Sequence, residues 1–135
     1  MQAPRTIAGL LVALAAFDAL QAPAIAAPSC KQDKRVVAAC FKVRGELSFG
    51  GDLLLRLLPQ RGTQEIYWIH TAGHGPTDFD PPVPANLSKM LRPDRAIVGD
   101  YVVCPFTQSP PGEVHEQTGC IDSARHLASH KNDQD

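Results

Sequence analysis

What the sequence does not contain narrows its chemistry first. There is no C-x-x-C pair, so a thioredoxin-like redox centre and a zinc site built on closely spaced thiolates both lack their usual ligands. There is no G-x-S-x-G elbow to present a serine nucleophile. Past the N-terminal run, no segment is apolar enough to span a bilayer. Neither sign of charge is in excess: 13 lysines and arginines stand against 14 aspartates and glutamates. Such a surface has no general attraction for nucleic acid or anionic lipid, and no nucleic-acid partner is expected. The carboxylates Glu113 and Glu116 sit in a polar stretch with nothing to drive their pKa values apart, as an acid–base pair requires. These absences point to a non-catalytic protein that needs no cofactor.

What is present begins with an export signal. Arg5 supplies a positive charge, Ile7 to Leu20 is an apolar run broken only by Asp18, and a small-residue segment, "QAPAIAAPSC", follows. That order is the one of a secretory signal peptide. The run is shorter than the roughly 20 residues a spanning helix needs. Ala24-Ile25-Ala26 is the best cleavage match. A cut after Ala27 would put Pro28 just past the bond, where its ring and missing N–H fit an extended protease site poorly. Residues 1–26 are therefore assigned to the signal. Removing 26 of 135 residues leaves 109, one domain, with no stable membrane span after processing. The expected location is the periplasm or the exterior.

All four cysteines, Cys30, Cys40, Cys104 and Cys120, follow the cut. An even count in an exported chain favours two disulfides, and three connectivities are possible. Cys104 and Cys120 enclose 15 residues, and a bridge closing such a loop would stabilise by about 3 kcal/mol on the chain-entropy model. Cys40–Cys104 is the competing pair, because the first and fourth strands of an OB-like barrel are neighbours.

Residues 27–35 are polar and read as a flexible arm. In "VVAACFKVRGELSF", Phe41, Val43, Leu47 and Phe49 alternate with Lys42, Arg44, Glu46 and Ser48, the period of a half-buried strand. Gly45 interrupts the apolar face and marks a bend. "GGD" is a turn, "LLLRLLP" a second strand and "QEIYWIH" a third. Prolines and glycines exclude regular structure from Thr71 to Pro84. "ANLSKMLRP" predicts a short helix with Asn86 as N-cap and Leu87, Met90 and Leu91 on one face. "AIVGDYVVCPF" is a fourth strand with a bend at Gly99, and "EVHEQTGCI" a weak fifth. "IDSARHLASH" reads as a closing helical turn or two, capped by Asp122 or Ser123, and residues 129–135 as a disordered tail. The fold class is thus mainly β: residues 36–128 as a small five-stranded OB-like barrel with one short helix between strands 3 and 4.

The segments "CFKVRGELSF", "GDYVVCPF" and "PPGEVHEQTGCIDSARHL" together resemble a family of small exported bacterial proteins of unknown function. The shared pattern is C-F-x-V-x-G-x-L, then G-D-[YF]-x-V-C-P-[FL], then P-G and C-[IV]-x-S-A-x-x-L. It falls on Cys40 to Leu47, Gly99 to Phe106 and Pro111 to Leu127. The resemblance implies an OB-like barrel and no activity.

Two groups of residues are candidates for function. His70, His74, Asp78 and Asp80 are metal-ligand types on one loop, although Gly73, Gly75 and Pro76 deny the helix that makes an H-x₃-H spacing informative. Tyr67 and Trp68, with Arg56 and Phe106, suit a stacking surface, but adjacent strand residues face opposite ways, so only one of Tyr67 and Trp68 can be outside. The reading is a binding or structural accessory domain for an unknown protein or glycan of the cell envelope. The alternative is a periplasmic metal-binding protein using the His70/His74 loop.

Overall fold

The computed structural model describes residues 29–60, 66–73, 75, 77–108 and 116–132. Residues 1–26, expected to be a signal peptide, and His74 and Glu113 lie outside them. Among the described residues the chain forms β1 (Phe41–Phe49), β2 (Leu55–Pro59), β3 (Ile66–Ile69), the helical turn α1 (Ala85–Ser88), β4 (Arg95–Pro105) and β5 (Glu116–Lys131). The strands hydrogen-bond in a closed ring, β1-β2-β3-β5-β4, with β4 returning to β1. The β3–β5 pair is parallel and the others are antiparallel. This is the OB-like barrel that the β-β-β-α-β-β order predicts. No helix of the described residues is long and apolar enough to cross a membrane.

The first strand serves both halves of the ring, and its glycine makes this possible. Gly45 is opposite Pro59 of β2 on one side and Gly99 of β4 on the other. A Cβ on Gly45 would lie 2.7 Å from the Leu58 carbonyl oxygen, inside van der Waals contact with rigid backbone. The barrel interior is filled from alternate strand positions: Leu47 and Phe49, Leu55 and Leu57, Tyr67 and Ile69, Ile97, Tyr101 and Val103, and Ile121. Each such side chain contributes roughly 1.5–3 kcal/mol by leaving water. Leu87 of α1 is fully buried in the same cluster, with Met90 and Leu91 packed against it as expected. Tyr101 donates its hydroxyl to the Ile97 carbonyl at 2.7 Å, and burial pushes its phenol above the ordinary range.

Four expectations are corrected. The segment after Cys120 is not helical, and the tail does not fray at Ser129: β5 continues to Lys131, which is opposite Arg95. The error has a physical cause. Ile121, Ala124 and Leu127 recur every three residues, which suggests a helix. Two register shifts, between Val102/Val103 and between Val98/Asp100, each give β5 one extra residue against β4. The extra residues turn a spacing of three into one inward face: Ile121 and Ala124 are buried in the core and Leu127 packs against it. The described part of the arm, residues 29–35, lies against the barrel: Cys30–Gln32 form a 3₁₀ turn, and Lys31 N–H donates to Asp122 Oδ1 at 3.0 Å. Residues 36–40 precede β1 instead of opening it, with Val37 N–H donating to the Pro105 carbonyl. Asn86 is not the cap of α1; Pro84 holds that position, and Asn86 Nδ2 donates to the Ala124 carbonyl at 2.7 Å.

Candidate functional site

The cysteines settle into Cys40–Cys104 and Cys30–Cys120. The first ties the entry of β1 to β4. The second ties the arm to β5, across 90 residues of sequence. On the chain-entropy model each long loop is worth roughly 4 kcal/mol, and less in sum because the loops overlap. Cys30, Cys104 and Cys120 place their sulfurs within 4.8 Å of one another. Among the described residues this is the one grouping of metal-ligand types, and its sulfurs are all consumed in disulfides.

The disulfide-anchored arm carries Arg35 onto the loop thought to hold metal ligands. Its Nη2 donates to Asp33 Oδ2 at 2.7 Å and to the Asp80 carbonyl at 3.1 Å, while Nη1 is 3.1 Å from Asp80 Oδ2. The guanidinium carbon lies 4.8 Å from the centre of the Phe106 ring, and His70 meets the same ring edge-on. His70 Nδ1 is 3.2 Å from Arg35 Nη1 and 3.0 Å from the Asp80 carbonyl. One ring nitrogen either accepts from the arginine or donates to the carbonyl, so the tautomer selects the partner. The side-chain hydrogen bond from Arg35 holds the Asp33 carboxyl down at about 2 and pushes the guanidinium's own pKa up. His70 and Asp80 are therefore brought together around a fixed cation. Asp78 is exposed, its N–H bonded to Gly75. A metal ion taking His70 Nδ1 and Asp80 Oδ2 would have to displace Arg35.

On β2 and β3, Arg56 and Trp68 are opposite each other in register and both are half-buried. Trp68 Nε1 is enclosed without a hydrogen-bond partner among the described residues. Tyr67 is removed from the stacking surface: it is 4 % exposed and packs at 5.4 Å from Phe41 inside the barrel. Phe106 is taken up by Arg35 and His70. Of the four candidate stacking residues, Arg56 and Trp68 are left on the outer face. The turn that leads into β2 adds Leu53 and Leu54, both exposed, with Leu53 at φ 62°.

A further place was not foreseen. A groove of about 430 Å³ crosses the outside of β1, β4 and β5, lined by Lys42, Val43, Arg44, Asp100, Tyr101, Val102, Ser123, Arg125 and His126. Arg44 Nη1 donates to Asp100 Oδ1 at 2.8 Å, and His126 Nδ1 donates to Asp100 Oδ2 at 2.7 Å. The hydrogen bond from Arg44, followed by that from His126, lowers the Asp100 pKa. Ser123 lines the groove, and no hydrogen bond among the described residues joins it to His126. The cations of β1 were visible as the polar half of its alternation. Arg125 and His126 were missed because that segment read as a helix. Comparison of the chain with protein-family models, characterised proteins and solved structures returns no match.

Proposed function

We propose that this disulfide-braced barrel is an exported, non-catalytic binding domain whose β2–β3 face receives a glycan or a protein segment of the cell envelope. The observation that carries the reading is the Arg56–Trp68 pair, opposed across two strands on the outer face. The strand 2–3 face is where barrels of this architecture take up oligonucleotides and oligosaccharides. Balanced charge weighs against the first class. An indole beside a guanidinium suits the second, the ring offering an apolar platform and the cation a set of N–H donors. Two disulfides that use every cysteine support an oxidising compartment.

Trp68 is the one tryptophan of the chain, so its fluorescence reports on this face alone. Titration of the oxidised protein with neutral envelope oligosaccharides should shift that emission saturably, and Arg56→Ala should weaken the response. Native mass spectrometry of protein recovered by osmotic shock should find both disulfides intact. A resident metal ion, or four free thiols in protein from its own compartment, would overturn the reading.

A further inference from the structure

The groove across β1, β4 and β5 lies on the side of the ring away from β2 and β3, and its charges are arranged in register. Two rows of outward residues cross three neighbouring strands. Lys42 is opposite Val102, which is opposite Ser123; Arg44 is opposite Asp100, which is opposite Arg125. Both oxygens of Asp100 are already engaged, one by Arg44 and one by His126. Lys42 and Arg125 make no ion pair among the described residues. Three permanent cations against one carboxylate leave the groove with a net positive charge in a chain whose total is −1. The adjoining row carries Glu46, and its charge is directed to His130 at 3.4 Å.

The backbone adds a second, independent observation. His126 sits at φ 51°, in the left-handed region, at the register shift between β4 and β5. A non-glycine residue there costs roughly 1–2 kcal/mol, and glycine is the usual occupant of such a bulge. Here the place is held by an imidazole whose Nδ1 is fixed by Asp100 and whose ring is otherwise exposed at the rim of the groove. Backbone strain kept at a residue with that geometry points from structure to use.

We propose that this groove binds a small organic anion, its carboxylate or phosphate group received by Arg44, Arg125 and Lys42 with His126 at the rim. Guanidinium groups match both oxyanions through paired N–H donors. Asp100 serves as a positioning residue that aims Arg44 and His126 and keeps the empty groove from repelling its own cations. The volume matches small-molecule sites, which begin near 300 Å³, and is far too small for a folded partner.

The test is isothermal titration calorimetry of the oxidised protein at low ionic strength, with inorganic phosphate and with citrate as probes. Saturable one-site binding of either is expected, and the probe that binds identifies the preferred oxyanion. Lys42→Ala and Arg125→Ala should each weaken it about three- to tenfold, up to 1.4 kcal/mol. Lys34→Ala, removing an exposed cation of the arm that does not line the groove, should leave it unchanged. His126→Gly separates binding from folding: glycine accepts the backbone angle without a Cβ penalty, so the melting temperature should hold or rise while affinity falls. The proposal is overturned if neither probe saturates, if the Lys42 and Arg125 variants bind as well as the parent, or if Lys34→Ala weakens binding equally. The Trp68 fluorescence titration is independent of these outcomes.

Discussion

Cys104 and Cys120 stand directly opposite each other across β4 and β5, yet neither is bonded to the other. Cys104 reaches back to Cys40 ahead of β1, and Cys120 reaches out to Cys30 in the arm. The barrel wall is thereby tied to segments that the β4–β5 ladder does not itself hold. A Cys104–Cys120 bridge would duplicate pairing that β4 and β5 already have.

The proximity of the sulfurs makes a sharp prediction for Cys40→Ser. Cys104 is then a buried thiol with its Sγ within 4.8 Å of the Cys30–Cys120 bond. As a thiolate it attacks Cys120 Sγ, forming Cys104–Cys120 and expelling Cys30 as a thiolate. Burial in apolar surroundings raises a thiol's pKa, so alkaline conditions should favour the exchange. Non-reducing peptide mapping after alkaline incubation should detect the new bridge and a free Cys30. Recovery of Cys30–Cys120 alone would show that the three sulfurs do not exchange.

The Arg35 junction should appear in the acid limb of stability. The folded-state pKa of Asp33 is depressed to about 2 by its hydrogen bonds to Arg35. A depressed carboxylate contributes its full stabilisation above its unfolded value, about 3.9, and loses it as pH falls through the folded value. The contribution is therefore present at neutral pH and disappears between about pH 4 and 2. Asp33→Asn should lower stability at pH 7 and flatten that part of the denaturation profile. Arg35→Ala should cost about 1 kcal/mol, since the arginine side chain is 37 % exposed and water screens its pairs. A variant as steep as the parent between pH 4 and 2 would assign the acid limb to other carboxylates.

The two glycines that face each other across β1 and β4 should differ in tolerance. At Gly45 the added Cβ meets the Leu58 carbonyl oxygen at 2.7 Å, and backbone in a ladder cannot yield cheaply. At Gly99 the nearest atom, 2.5 Å away, is Leu127 Cδ2, the far end of a flexible side chain; the next is the Arg125 carbonyl at 3.1 Å. Gly45→Ala is expected to destabilise by about 1–3 kcal/mol, as overpacking does, and Gly99→Ala by less. Urea midpoints in the reverse order would show that the β4–β5 contact is the stiffer one.

These glycines also mark how much of the molecule the amino acids disclose. Alternation around Gly45 and Gly99, the single helical turn and the strand order were enough to predict an OB-like ring. Periodicity failed where the chain bulges, because two inserted residues in β5 give Ile121, Ala124 and Leu127 a helical spacing. With β5 truncated, Arg125 and His126 could not be placed beside Arg44 and Asp100, and the groove was invisible. Connectivity was undecidable for a similar reason: Cys30 belongs to an arm whose path depends on Arg35, Asp80 and Phe106 meeting in space.

Asp100 offers the last discriminating change. Its carboxylate aims Arg44 and His126, and it also places a negative charge where an anion would bind. Asparagine keeps the shape and one acceptor for Arg44 while removing the charge. Two charges 4 Å apart in water interact by about 1 kcal/mol, the scale of several-fold in affinity. Asp100 is part of an exposed pair, with its side chain 44 % accessible, so the stability change should be small. Asp100→Asn is therefore expected to tighten phosphate or citrate binding several-fold at low salt, with the gain shrinking as ions screen the groove. A loss of affinity instead would mean that orientation of Arg44 and His126 outweighs the charge. Calorimetric titrations of parent and variant at two ionic strengths decide between them.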